Sequence, residues 1–186
     1  MNSPFQIDGY AIVSADGMIA GPDGMMPEGL KNQADHQFFV EALDKVDLVA
    51  HGRHSHEGQP NSDQRRRIWI TRSVETLRPR PGVERQWDWN PEGIPFENAC
   101  RAAGLESGVV AILGGPSAYS LFLPVYRAFY LSRAERARVP GGTPVFTAIR
   151  DGLTAEQVLG NNGLEPEPPI DLDAANGVTL TRWARR

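Results

Sequence analysis

Apolar residues occur along the chain in short runs, separated by segments with helical spacing. Residues 109–113 form the longest run, which is typical of a central strand buried on both faces. Further strands are predicted at 10–13, 48–50, 68–70, 128–131 and 178–183. Residues 79–95 are rich in Pro and Trp and predict a loop around one weak strand.

The segments between these runs predict helices. Phe38, Phe39, Ala42 and Leu43 share one face of a helix over 33–43. Other helices are predicted at 96–103, 117–123 and 154–159, and Thr154-Ala155-Glu156-Gln157 has the pattern of a capping box for the last of them. The alternation predicts an α/β fold, with a mostly parallel mixed sheet of about eight strands and flanking helices. The last strand follows the Asn176-Gly177 turn and is expected to be antiparallel at one edge.

Composition limits the classes of protein. The 186 residues, of which 40% are hydrophobic, suit one domain over residues 1–186. The net charge of −4 and the lack of a basic run argue against a nucleic-acid partner. A membrane span is not expected, because no apolar stretch approaches roughly 20 residues. A signal peptide is not expected either, because the N-terminus has no basic segment followed by an apolar run. One cysteine, Cys100, excludes an internal disulfide and indicates the cytoplasm.

A glycine pair follows the strongest strand, in the segment Leu113-Gly114-Gly115-Pro116-Ser117. Glycines let the backbone approach a ligand closely, and the N–H groups of a following helix attract phosphate. A tight turn without a ligand is the alternative. The Gly-x-Gly-x-x-Gly motif of a Rossmann dinucleotide site is missing.

Two other predicted strands end in groups that can hold phosphate. They are Gly52-Arg53-His54-Ser55 and Thr71-Arg72-Ser73. Each could equally be a surface turn with an exposed arginine. Three such strand ends together favour a phosphate-bearing ligand, because open α/β sheets bind ligands at the carboxyl ends of their strands.

Asp35 begins the helix that carries the two phenylalanines. An acid there can simply complement the helix dipole. Alternatively, a carboxylate in an apolar cleft can hold an amino-bearing heterocycle. His51, His54 and His56 are clustered, but no companion Cys or His has ligand spacing, so we expect no metal site. Cys100 is expected to be a small core residue.

Several segments resemble the dihydrofolate reductase superfamily, which includes the reductase domain of riboflavin biosynthesis. The resemblance covers about Gly9 to Trp183. Its most specific part is a Gly-Gly pair followed by a tyrosine, a Phe-Leu-Pro and a Tyr-Leu-Ser strand. These are Gly114-Gly115, Tyr119, Phe122-Leu123-Pro124 and Tyr130-Leu131-Ser132, followed later by Gly142-Thr143 and Phe146.

The resemblance implies NADPH as the cofactor. Gly52-Arg53-His54-Ser55 matches the family motif Gly-Arg-x-Thr, and Thr71-Arg72 lies where the family grips the adenosine 2′-phosphate. The implied cofactor residues are Ala20, Gly52, Arg53, His54, Ser55, Thr71, Arg72, Leu113, Gly114, Gly115, Pro116, Ser117 and Tyr119.

The resemblance also implies a substrate site. Asp35 matches the family carboxylate, and the implied substrate-binding residues are Ala11, Phe39, Arg65 and Ser132. Two departures stand out: residues 61–65 replace the family's Pro-Leu-Pro-Gly-Arg, and His36 replaces an apolar pocket residue. They predict a substrate range that is looser than, or different from, that of a strict folate enzyme.

The expected function is NADPH-dependent hydride transfer to a C=N bond of a reduced pterin. Dihydrofolate is the leading candidate substrate, and dihydromethanopterin or another pterin is the second. One alternative is a riboflavin-type diaminopyrimidine ribosyl-phosphate reductase, which the segment Ser14-Ala15-Asp16-Gly17 resembles. Under that alternative, Asp16 is the rival to Asp35 as the catalytic carboxylate, although we expect Asp16 to contact backbone in a turn. A non-catalytic ligand-binding member is the other alternative, and a homodimer is compatible with all of them.

Overall fold

One large mixed sheet forms the centre of the computed structural model, which describes residues 3–55, 58–59 and 61–186. The strands in chain order are β1 (Phe5–Ser14), β2 (Met18–Ala20), β3 (Leu48–Gly52), β4 (Arg67–Ile70), β5 (Leu77–Pro79), β6 (Gln86–Trp89), β7 (Gly108–Ile112), β8 (Tyr126–Ala134), β9 (Thr143–Pro144), β10 (Leu164–Pro166), β11 (Ile170–Asp173) and β12 (Val178–Arg185).

The sheet is parallel at its centre and antiparallel at its edges. Within the described residues it contains ten strands, in the order β10-β12-β8-β1-β7-β3-β4-β6-β5, with β11 added on β12. Strand β1 pairs in parallel with both β7 and β8, and β3, β4 and β6 continue the parallel region. The closing strand β12 runs antiparallel to β8, as predicted.

The mostly parallel α/β architecture is confirmed, but the expected strand count was too low. Strands β5, β10 and β11 are short edge strands of three or four residues. Two of them end in proline, at Pro79 and Pro166. Such strands show little alternation of apolar and polar residues, because proline and surface side chains are tolerated at sheet edges.

Four α-helices flank the sheet in the described part of the chain. They are α1 (Gln33–Leu43), α2 (Phe96–Ala102), α3 (Pro116–Leu121) and α4 (Ala155–Asn161). Helix α2 ends before Gly104, which takes a φ of +78°, as expected for a C-terminal cap. Helix α4 begins with the predicted capping box, in which Thr154 and Gln157 satisfy each other's backbone N–H groups.

The core lies on both faces of β7, whose Val110, Ala111 and Ile112 are fully buried. On one face Ala111 packs with Leu43 of α1 and Tyr10 of β1. The other face forms the larger cluster, with aromatic residues that include Tyr126, Phe129 and Phe146. The described helices include none with the length and apolarity that a membrane span requires.

Candidate active site

A cleft of about 670 Å³ opens between helix α1 and the carboxyl-end edge of the sheet. This volume is in the range of small-molecule sites. Half of the residues predicted from the sequence line it. They are Ala11, Ala20, Asp35, Phe39, His54, Ser55, Leu113, Tyr119 and Ser132.

Asp35 is the only carboxylate among the described residues that line this cleft. It lies in the first turn of α1, where Asn32 caps the helix by accepting from the backbone N–H groups of Ala34 and Asp35 at 3.0 and 3.1 Å. Burial raises the pKa of the Asp35 carboxyl. A hydrogen bond with Ser132 and the nearby His36 act in the opposite direction. The carboxylate is therefore held in an apolar site by one buried hydroxyl.

Tyr119 lies beneath the cleft and is fixed by a long-range contact. Its Oη donates to the backbone carbonyl of Tyr10 at 2.5 Å. Burial and the neighbouring Asp35 both raise the pKa of this phenol, so it stays protonated. Gly114 is close to the ring, because a Cβ on Gly114 would approach it to 3.0 Å.

Aromatic side chains form the wall between α1 and the sheet. Tyr10 and Tyr130 stack with ring centroids 4.8 Å apart and planes 4° from parallel. Phe39 meets Tyr10 edge-on at 6.3 Å, and Phe38 packs on Tyr130 at 5.8 Å. Burial raises the pKa of Tyr10, so its hydroxyl is neutral. The sequence alone does not indicate a site role for the two tyrosines, since only the β1–β8 register makes them neighbours.

The three strand-end segments lie side by side, because β7, β3 and β4 are adjacent and parallel. The Gly52 N–H donates to the Gly114 carbonyl at 2.6 Å and joins the first two segments. Gly114 has a φ of +103°, and a Cβ on Gly115 would lie 3.0 Å from Ser55 Oγ. These glycines leave a shallow cradle that a side chain would fill.

The remaining predicted cofactor residues lie outside the cleft lining. Arg53 is exposed, and Pro116 and Ser117 begin α3. Arg72 Nε donates to Glu92 Oε1 at 2.9 Å, with both side chains mostly exposed. The Thr71 hydroxyl donates to Ser73 Oγ at 2.9 Å and accepts from the Ser73 N–H at 3.1 Å, which closes a turn.

Arg65, the predicted substrate-binding arginine, does not line the cleft. Its guanidinium donates to Asp44 Oδ1 at 2.8 Å, just beyond the end of α1. There it lines a second pocket, of about 270 Å³, together with Arg66 and Arg85. The ion pair with Asp44 keeps Arg65 on that side of the helix, so its position does not support the predicted role.

Asp16, the competing carboxylate, serves the backbone. It accepts from Ser14 Oγ at 2.5 Å and from the Val139 N–H at 3.0 and 3.1 Å. Burial acts to raise the pKa of Asp16, but these hydrogen bonds together outweigh it, so the pKa is lowered. Asp16 is absent from the lining of the cleft and joins the β1–β2 turn to the loop after β8, as expected for a turn residue.

The histidine cluster is divided in the structure. His51 is fully buried, and its Nε2 accepts from the Arg67 guanidinium at 2.6 Å. Its Nδ1 therefore carries the proton and donates to the Gly52 carbonyl at 2.8 Å. His54 lines the cleft, and His56 lies outside the described residues. In the described ranges, no three metal-ligating side chains come together.

Cys100 is buried in the larger core cluster, as expected for a small apolar residue. Burial raises the pKa of its thiol to about 12, so it is not a nucleophile at neutral pH.

The sheet order, the flanking helices and the cleft define a dihydrofolate-reductase-like fold, which confirms the fold that the sequence resemblance implies. The structural match to dihydrofolate reductase from Enterococcus faecalis, complexed with NADP(H) and RAB-propyl, covers 97% of this chain and 96% of that protein's chain. The TM-score is 0.65 at 17% identity.

Two further solved structures are similar. A riboflavin biosynthesis protein from Shewanella sp. PV-4 matches 97% of this chain and 99% of its own, with a TM-score of 0.65 and 16% identity. A pyrimidine reductase-like protein from Corynebacterium diphtheriae matches 96% of this chain and 91% of its own, with a TM-score of 0.67 and 15% identity. No family profile and no curated protein matches the chain. At these identities the similarity establishes the fold.

Proposed function

We propose that the protein is an NADPH-dependent reductase that transfers a hydride to the C=N bond of a reduced pterin, either dihydrofolate or a related dihydropterin. The observation that carries this proposal is the position of Asp35. It supplies the one carboxylate among the described lining residues, and it faces a cleft bordered by Phe39 and Ser132. A pterin presents an amino group and a ring N–H side by side, which match the two oxygens of a carboxylate.

The chemistry needs one hydride and one proton. NADPH, when bound, supplies the hydride to the imine carbon, and the imine nitrogen gains a proton. Asp35 orients the ring, which is a positioning effect. Its negative charge in an apolar cleft also makes a positive charge on the heterocycle less costly, so the nitrogen is protonated at a higher pH than in water. The proton itself can come from a water molecule.

The strand-end cradle fits the phosphates of this cofactor. The backbone of Gly114 and Gly115 and the hydroxyl of Ser55 would hold them, because the two loops already approach each other closely there. Arg53 and Arg72 would provide the cations for the 2′-phosphate. Arg72 must then exchange Glu92, its exposed partner, for the phosphate. Tyr119 borders the cleft where it meets this cradle, and Ala20 is a further lining residue of the cleft.

A riboflavin-type reductase acting on a diaminopyrimidine ribosyl-phosphate is the second candidate. The Ser14-Ala15-Asp16-Gly17 segment favours it. The hydrogen bonds of Asp16 to Ser14 and Val139 count against a catalytic Asp16 and support the pterin substrate.

We also propose that the protein is cytoplasmic, because its only cysteine is a buried thiol.

The oxidation of NADPH tests this proposal directly. The purified protein is mixed with NADPH and, separately, with dihydropterins and with the diaminopyrimidine ribosyl-phosphate. We expect turnover with at least one dihydropterin. Turnover with the pyrimidine alone would select the riboflavin-type function. Binding of both ligands without turnover would indicate a non-catalytic member of the superfamily.

A further inference from the structure

Two polar side chains form a bridge across the mouth of the cleft. His36 Nε2 lies 2.7 Å from Gln59 Oε1, in a hydrogen bond that links α1 to the segment after β3. Both residues line the cleft, and His36 follows Asp35 directly in the helix. A substituent extending outward from a heterocycle at Asp35 would therefore meet this pair.

The chemistry of the bridge suits hydroxyl groups. An imidazole and a carboxamide each provide a hydrogen-bond donor and an acceptor, and a hydroxyl can do both at once. An apolar aryl group can neither donate to nor accept from these side chains, so it would gain no hydrogen bond there. The inner part of the cleft, by contrast, is walled by rings such as Phe39 and Tyr10.

The nearby cations are poorly placed for a carboxylate arm. Lys31 lines the cleft but is paired with Glu28. Arg65 is paired with Asp44 and lines the second pocket. An anionic arm would have to compete with both of these acids. The polar bridge, by contrast, lies where such an arm would leave the cleft.

We infer that His36 and Gln59 are specificity-determining residues that select reduced pterins with a short hydroxylated side chain over those with an aryl-carboxylate arm. This inference rests on the proposed function and names the substrate class for the same cleft.

Three substrates and two variants test the inference. The substrates are 7,8-dihydrobiopterin with a hydroxylated side chain, 6-methyl-7,8-dihydropterin with no polar arm, and 7,8-dihydrofolate. Loss of one hydrogen bond in His36→Leu or Gln59→Leu should lower kcat/KM for dihydrobiopterin roughly threefold to tenfold. The methyl compound should be unaffected, and dihydrofolate should be unaffected or improved. Gln37→Leu is the matched control, because Gln37 pairs with Glu41 on the exposed side of the same helix.

Calorimetric binding of the same three compounds accompanies the kinetics, so that the rank order is measured whether or not turnover occurs. Equal effects of His36→Leu on all three compounds would overturn the inference. So would a strong wild-type preference for dihydrofolate that Arg65→Ala abolishes. In either case, turnover of the methyl compound that depends on Asp35 would leave the proposed function intact. If none of the compounds is bound or reduced, the inference and the proposed function are both wrong.

Discussion

The cleft under α1 and the strand-end loops are built in different ways, although they meet at Tyr119. In the cleft, Asp35 is held by a helix cap and a buried hydroxyl, and rings surround it. At the loops, glycine backbone is close-packed, but the arginines are at the surface and Arg72 already has Glu92 as a partner.

This difference predicts how each region responds to a ligand. Groups in the cleft are positioned before the ligand arrives, so a substitution there should lower the turnover rate without a comparable loss of folding stability. Arg72 must leave Glu92 before it can bind a phosphate, so it should contribute less to cofactor binding than its charge suggests. The predictions below test this contrast, beginning with the largest effect.

Replacing Asp35 should have the largest effect. Asp35→Asn keeps the shape of the side chain but removes its charge, so turnover should fall about 10²- to 10⁴-fold, the usual range for acid–base assistance. NADPH binding should be unchanged. The deficit should shrink at low pH, where the substrate is protonated without help. Steady-state kinetics against pH measures it.

Glu41→Gln is the matched control for this prediction, since Glu41 is an exposed carboxylate on the same helix outside the cleft. Full activity of Asp35→Asn together with an inactive Asp16→Asn would refute the assignment and favour the riboflavin-type function.

Replacing Arg72 should have an intermediate effect that is specific to the cofactor. A charge-assisted contact contributes about 1.5–3 kcal/mol, and we expect the lower end because Arg72 is exposed. Arg72→Ala should therefore raise the KM for NADPH about tenfold and leave that for NADH unchanged. Arg186→Ala, which breaks a comparable surface pair with Glu165, should change neither. Equal losses with both cofactors would contradict a 2′-phosphate contact.

Replacing Gly115 should have a smaller effect, on cofactor affinity. Its φ of −78° accommodates alanine, but the new Cβ would lie 3.0 Å from Ser55 Oγ and intrude on the cradle. Gly115→Ala should weaken NADPH binding several-fold, as measured by calorimetry, with little change in Tm.

Gly160→Ala is the control, because a Cβ there meets nothing and alanine should stabilise α4 by roughly 0.5–1 kcal/mol. If Gly115→Ala unfolds the protein and cofactor binding is lost only with the fold, the turn has a structural role alone.

The smallest effect concerns stability without ligands. Because burial raises the pKa of Asp35, the folded protein favours the protonated form of this group. The stability that the Asp35 carboxyl contributes is present in acid and is lost as the pH rises through its folded-state pKa. Asp35→Asn should therefore have a higher Tm than wild type at neutral pH, and the difference should shrink in acid. A difference that grows in acid would contradict the raised pKa.

Local patterns predicted much of the fold and part of the site. The buried run of β7, the apolar face of α1 and the capping box at Thr154 each depend on neighbours in sequence. The contacts that could not be predicted join distant segments. The stack of Tyr10 on Tyr130 depends on strand register, and the His36–Gln59 bridge depends on how a loop folds over a helix. The roles of the site residues stay predictions.

A crystal structure with NADP(H) and a dihydropterin would test the central claim most directly. We predict that the heterocycle lies in the cleft with its amino group and ring N–H on the Asp35 carboxylate, and that the cofactor phosphates lie against Gly114 and Gly115. A heterocycle bound away from Asp35, or a dinucleotide bound elsewhere on the protein, would contradict the account.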